Sequence, residues 1–173
     1  MAFFKEELHK VKAFAFDVDG VLSCSIVQLN TDGELLRTMN SKDGYAIQYA
    51  IKRGFPIAII TGGNTASVYK RFANLGVVDI YLSSHNKMPD FQNFIQKHNL
   101  SPEDILYMGD DLPDYNVMKI CGVPTCPYDA GEEIRAISKY VSDRKGGEGC
   151  VRDVIEQTLR VQGLWMLDDA FSW

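Results

Sequence analysis

A chain of 173 residues, 46% apolar and 24% charged, has material for a single continuous hydrophobic core and not for a second full domain. Its 18 Lys and Arg against 23 Asp and Glu leave a net charge of -5, which excludes a broad basic surface for nucleic acid. No run reaches the roughly 18 to 20 apolar residues of a membrane span, and the start carries Lys5, Glu6, Glu7, Lys10 and Lys12 rather than a signal segment, so a cytoplasmic protein with no membrane partner is expected.

Apolar runs of strand length alternate along the chain with segments of helical period. Residues 11–17 (VKAFAFD), 56–60 (PIAII), 79–82 (DIYL), 105–108 (ILYM) and 122–126 (GVPTC) predict short buried strands. Residues 41–52, 64–75, 88–98, 112–120, 132–139 and 149–160 space their apolar side chains by three and four, which predicts helices. Gly54 and Gly76 fall where left-handed helix ends are wanted, and Ser101-Pro102-Glu103-Asp104 offers a capping serine, a proline at the first helical position and an acid at the third. One segment breaks the alternation. Residues 25–39 (SIVQLNTDGELLRTM) hold two short runs around Asp32-Gly33, a pair suited to a tight hairpin turn, and predict a β-hairpin inserted after the first strand.

Strands and helices alternating in this way imply a doubly wound α/β domain, a parallel sheet with right-handed crossovers covering both faces. No repeats or low-complexity linkers divide the chain, so residues 1–173 are read as one domain with a tail over 163–173. Cys24, Cys121, Cys126 and Cys150 lack zinc-site spacing and suit reduced, inert thiols.

Ligands in such folds collect at the carboxyl ends of the strands. The first strand ends in Asp17-Val18-Asp19-Gly20-Val21, and the fourth predicted strand ends in Gly109-Asp110-Asp111-Leu112-Pro113-Asp114. Paired carboxylates after apolar strands are costly to bury without a neutralising cation, and two such clusters on adjacent strands suit Mg²⁺. Either cluster alone could be turn and capping chemistry. The second strand runs into Thr61-Gly62-Gly63-Asn64, where a hydroxyl and small residues open a helix; it serves either as an anion cradle or as a simple capped turn. Lys87 follows the third strand in a first helical turn, where a lysine is electrostatically misplaced unless an acid or phosphate lies beside it. The late segment 144–152 (RKGGEGCVR) reads as a flexible loop capping the last helix or as an adaptable anion contact.

In chain order the strand ends thus supply paired acids, a threonine, a lysine and paired acids again, separated by 44, 26 and 23 residues from Asp17 through Thr61 and Lys87 to Asp110. From about Lys12 to Arg160 the chain resembles the haloacid dehalogenase superfamily of phosphohydrolases, in the capless branch that acts on phosphorylated sugar acids. The resemblance implies an α/β, Rossmann-like core and a Mg²⁺-dependent phosphatase working through an aspartyl phosphate. Asp17 would be the nucleophile and Asp19 the general acid and base; Asp17, Asp110 and the Asp19 backbone carbonyl would hold the metal. Thr61, Gly62 and Lys87 would bind the phosphoryl group, Asp114 would orient Lys87, and Asp111 would support the metal ligands from outside. Arg71 would reach the sugar carboxylate from an adjacent subunit.

The same resemblance implies a homotetramer built on the hairpins, in which a neighbouring subunit covers each site and the aromatic tail reaches a neighbour's entrance. The apolar Ile26, Val27, Leu29, Leu35, Leu36 and Met39 would be an awkward surface on a monomer. The implied substrate is the phosphate of a 3-deoxy-2-keto sugar acid, KDO 8-phosphate in lipopolysaccharide precursor synthesis. The nine-carbon 2-keto-3-deoxynononate 9-phosphate is the alternative. Gly63 stands where the first group often has arginine and the second an acid, so that position selects neither. A silent assembly domain is a further reading, opposed by the intact Asp17, Asp19, Thr61, Lys87 and Asp110. A response-regulator receiver is another, opposed by the D-x-D at the first strand.

Overall fold

The computed structural model of the chain describes residues 2–172. Its sheet has six parallel strands in the order β5-β4-β1-β6-β7-β8, built from β1 (Ala13–Phe16), β4 (Ile57–Ile60), β5 (Asp79–Tyr81), β6 (Ile105–Met108), β7 (Val123–Cys126) and β8 (Tyr140–Val141). The two remaining strands, β2 (Gln28–Leu29) and β3 (Leu35–Leu36), pair antiparallel as a separate ribbon with Gln28 opposite Leu36.

The four inner strands β4, β1, β6 and β7 bury both faces, and side-chain size alternates with the pleat. Phe14 and Phe16 of β1, with Ile57, Ile59, Leu106 and Met108, face one layer, formed by α1 (Ala2–Glu7), α2 (Ser41–Lys52), α3 (Ala66–Asn74) and α7 (Cys150–Val161). Ala13, Ala15 and Ala58 face the other, where their small size admits Phe91 and Phe94 of α4 (Lys87–Lys97), packed with α5 (Tyr115–Ile120) and α6 (Glu132–Ile137). Helices on both faces of a parallel sheet give the doubly wound architecture anticipated from the alternation.

Four of the expected strands contract by one to three residues from the apolar runs, and β6 keeps its expected bounds. Strand β8 was not anticipated because two residues leave no periodic signal. The helix expected over 112–120 splits into a 3₁₀ turn, Leu112–Asp114, and α5, since Pro113 interrupts it.

The chain leaves β1 for β4 and β5 on one side and crosses back to β6 on the other, which makes the carboxyl ends of β1 and β6 the switch point. Register places Phe16 beside Met108, and the Asp17 N–H donates to the Met108 carbonyl at 3.1 Å, so the acids after both strands emerge side by side.

Two features outside the sheet gain definition. The late loop caps α7 at Gly149, as one reading expected, and its other two glycines admit close backbone contact. A Cβ on Gly146 would lie 2.0 Å from the Gly20 carbonyl oxygen, and one on Gly147 would lie 2.6 Å from the Cys24 nitrogen. The Gly147 N–H donates to the Val21 carbonyl at 2.8 Å, which locks this loop behind the turn that carries Asp19.

The tail folds onto its own chain rather than away from it. Trp165 packs edge-on against Tyr49 at 5.3 Å under the Arg152 guanidinium, the Leu167 N–H donates to Tyr49 Oη at 3.1 Å, and Tyr45 Oη donates to the Ala170 carbonyl. Burying Trp165 between α2 and α7 removes apolar surface from water within one molecule and needs no partner. Met166 and Phe171 stay largely exposed, and Trp173 lies outside the described residues. No helix among the described residues is long and apolar enough to cross a membrane.

Candidate active site

Four strand ends converge on a cleft of about 440 Å³ lined by Asp17, Asp19, Thr61, Gly62, Lys87, Asp110, Asp111 and Asp114 among others. Lys87 is the pivot. Its side chain is only 3% exposed, and Nζ lies 2.8 Å from Asp17 Oδ1 and 2.7 Å from Asp114 Oδ1. The misplacement of a lysine at a helix N-terminus is thereby resolved, because two carboxylates meet it there. Burial alone would lower its ammonium, but Asp17 and Asp114 outweigh burial and hold it above the usual lysine value.

Asp114 is heavily engaged. Besides Lys87 it accepts from Tyr107 Oη at 2.6 Å and from the Asp110 N–H at 3.1 Å. Asp17 and Asp110 are not. Burial first, and repulsion from neighbouring acids second, push both carboxyls well above the ordinary aspartate range, even with Lys87 acting against the shift. Asp17, Asp110 and Asp114 each offer an oxygen within 4.8 Å of the others. Asp114 already accepts from three donors, so Asp17 and Asp110 are the acids with the greater capacity for a hard divalent cation. The uncompensated charge of this group is the observation that fits such an ion. Gly20 makes room, since a Cβ there would fall 1.9 Å from Asp110 Oδ2, and its φ of +90° is one that L side chains rarely adopt.

Thr61 is buried, its Oγ1 accepting from the Gly63 N–H at 3.2 Å, and Gly62 is exposed at the cleft. The neighbouring loops are tied together by Ser84 N–H to the Thr61 carbonyl at 2.9 Å and Ser83 N–H to the Gly63 carbonyl at 3.0 Å. Asp111 sits at the rim, where Oδ1 caps the Leu112 N–H at 2.8 Å, so its carboxylate acts first as a turn cap.

Arg71 does not join these residues within the chain. Its guanidinium lies over Gly44 of α2, close enough that a Cβ there would sit 2.4 Å from Nη2. Arg37 was missed. At the base of the ribbon its Nε is 2.5 Å from Asp19 Oδ1 and its Nη2 is 2.9 Å from Oδ2. No local signal marks it, because the pairing spans 18 residues and exists only once the ribbon folds back.

Carboxylates, a buried lysine and a hydroxyl at the switch point of a parallel sheet are the equipment of a phosphoric monoester hydrolase. A family model of haloacid dehalogenase-like hydrolases matches residues 72–154. The chain is 37% identical over 160 residues to the 3-deoxy-D-manno-octulosonate 8-phosphate phosphatase KdsC of Salmonella typhi, covering 92% of this chain and 84% of that protein. The Escherichia coli K12 protein of the same name is 36% identical over the same length and coverage. A crystal structure of the phosphatase of that name from Moraxella catarrhalis, in complex with magnesium, phosphate and KDO, superposes with a TM-score of 0.90 at 31% identity, covering 94% of each chain. The chain belongs to the haloacid dehalogenase-like hydrolase family.

Proposed function

We propose that this protein is a Mg²⁺-dependent phosphatase of 3-deoxy-2-keto sugar acids, and that its substrate is KDO 8-phosphate, which it hydrolyses to KDO and phosphate. The observation that carries the reading is Asp17 itself. One of its oxygens is held by Lys87 at 2.8 Å, and the buried carboxylate faces a cleft shared with Asp19, Thr61, Gly62 and Asp110. The eight-carbon substrate rests on the names borne by the similar proteins and on the KDO held in the Moraxella enzyme's structure.

The free Asp17 oxygen attacks phosphorus while the bond to the sugar oxygen breaks, leaving an aspartyl phosphate. Asp19 gives a proton to the departing sugar oxygen and takes one back from the water that then hydrolyses the intermediate. Lys87 offsets charge on the transferring phosphoryl group, Asp114 fixes Lys87, and the Thr61 hydroxyl and Gly62 N–H donate hydrogen bonds to the phosphoryl oxygens. A Mg²⁺ held by Asp17, Asp110 and the Asp19 carbonyl supplies the positive charge that lets an anionic nucleophile approach an anionic ester.

A homotetramer closes the open cleft in this reading. Ile26 and Leu29 on the ribbon are 82% and 70% exposed, an apolar surface suited to burial against further copies. The four free cysteines suit the reducing cytoplasm.

The test is turnover of KDO 8-phosphate and of the nine-carbon 9-phosphate side by side with Mg²⁺, with solution mass measured on the same sample. Faster turnover of the eight-carbon ester and a mass of four chains are expected, and Asp17→Asn should abolish turnover without unfolding the protein. Preference for the nine-carbon ester would overturn the substrate assignment; an active Asp17→Asn would overturn the nucleophile.

A further inference from the structure

The Arg37 guanidinium is inserted between the ribbon and the acidic turn. Nε and Nη2 meet the two Asp19 oxygens at 2.5 and 2.9 Å, while Nη1 donates to Thr65 Oγ1 at 3.0 Å and to the Leu35 carbonyl at 3.2 Å. The Arg37 side chain is 3% exposed and that of Asp19 is 36% exposed, so the arginine is a built-in fixture and the aspartate the accessible end of the pair. Thr65 stands at the N-cap of α3 yet caps nothing with its hydroxyl, which is turned to the arginine instead. Asp19 has one other side-chain partner, Ser23 Oγ, at a longer 3.2 Å.

We propose that Arg37 is the positioning residue of Asp19, fixing the plane and rotamer of that carboxylate so that it meets the leaving oxygen of the substrate. The proposal deepens the phosphatase reading and rests on it. A fork of two parallel N–H donors orients a carboxylate in a way a point charge does not. Left alone, Asp19 would be repelled by Asp17 two residues away and would hold its place only through the longer bond from Ser23. With the Asp19 end of the pair open to solvent, its contribution to stability is screened. Its geometric effect is the larger one, because a general acid works only within hydrogen-bond reach of the oxygen it serves. The arginine is itself anchored by Thr65 and Leu35, so the ribbon hands its position on to the catalytic turn.

The experiment compares kcat/KM for wild type, Arg37→Ala and Arg37→Lys on three esters: KDO 8-phosphate, glycerol 3-phosphate and 4-nitrophenyl phosphate. The first two release alkoxides that need a proton, whereas 4-nitrophenolate leaves without one. Arg37→Ala is expected to lose roughly 10- to 100-fold on both alkyl esters, within the span general acid catalysis contributes, and less than about 3-fold on the aryl ester. Arg37→Lys should recover part of the alkyl loss, and the urea midpoint should stay close to wild type. Equal losses on all three esters would mean a merely structural role, and a loss confined to KDO 8-phosphate would mean that Arg37 reads the sugar acid; either overturns the proposal, as would no loss at all. A wild type inactive on every phosphate ester would remove the phosphatase reading itself, a result distinct from an active wild type indifferent to Arg37.

Discussion

Replacing Gly146 by alanine adds one methyl group far from any substrate, yet it should damage the active site. The backbone at Gly146 lies outside the positive-φ region, so alanine is conformationally acceptable there and only the contact matters. The new Cβ would sit 2.0 Å from the Gly20 oxygen and 2.5 Å from the Gly20 carbon. Ordinary contact needs about 3.5 Å, so the two backbones must part by about 1 to 1.5 Å. Neither side yields easily: the adjacent Gly147 N–H is bonded to the Val21 carbonyl at 2.8 Å, Cys150 Sγ reaches the same carbonyl at 3.2 Å, and Asn40 Nδ2 donates to the Gly147 carbonyl at 3.3 Å. Overpacking of this kind costs about 1 to 3 kcal/mol. Gly20 follows Asp19 directly, and a displacement near 1 Å at a reacting group can cost about 100-fold in rate. Urea unfolding and kcat/KM measured on the same preparation should therefore both fall. Gly54→Ala is the control: its φ is +86° with nothing within 4 Å of the new Cβ, so it should lose about 1 kcal/mol of stability with kcat/KM unchanged. A Gly146→Ala protein with wild-type kcat/KM would refute the view that this loop holds the catalytic turn in place.

Three further outcomes follow from the charges. Lys87→Met leaves Asp17 and Asp114 buried without their shared cation, and metal-free protein should lose about 3 to 5 kcal/mol in urea unfolding; a loss below 1 kcal/mol would show that the pair does not depend on the lysine. Chelation of divalent metal should abolish turnover and lower Tm, and Mg²⁺ at about 100 times its Kd should restore activity with about 2.7 kcal/mol of stability; an unchanged Tm would argue against an ion between Asp17 and Asp110. Asp43 is pushed up to about 6 by burial, against hydrogen bonds from the Arg152 and Gly149 N–H groups and the charge of Arg152. Its folded value exceeds the unfolded one of 3.8, so stability present below about pH 4 is lost as pH rises through about 6. Asp43→Asn should remove that dependence, the stability difference moving in favour of the variant by on the order of 3 kcal/mol between pH 4 and 7; a pH-independent difference would contradict it.

The parts of the site legible in the sequence are those that follow from local rules. Asp17 and Thr61 directly follow apolar runs, Asp110 comes two residues after β6 and Lys87 six after β5, and a parallel sheet gathers its strand ends whatever the loops do. The same logic could not reach Arg37, whose partner lies across a ribbon with strands of two residues each. Glycine was ambiguous for a different reason. A cluster such as Gly146-Gly147 permits flexing, anion binding or close backbone approach, and only the neighbouring backbone of residues 20–24 selects the third. Where the tail packs could not be read locally, because its aromatic residues are equally suited to a neighbour's surface and to their own; Tyr49 and Arg152, distant in sequence, decide where Trp165 packs.

The acidity of the chain acquires a local meaning through the pairing pattern. Asp19 is matched by Arg37, and Lys87 lies between Asp17 and Asp114, so the four acids Asp17, Asp19, Asp110 and Asp114 face two cations. With Asp111 at the rim the cleft holds more acids than cations, and the excess falls on Asp17 and Asp110, the two acids that burial and repulsion push upward. In the proposed reading a Mg²⁺ held by Asp17 and Asp110 would offset the repulsion that a phosphate dianion meets in this cleft, and Arg37, by pairing with Asp19 on the ribbon side, would leave that carboxylate to the leaving group.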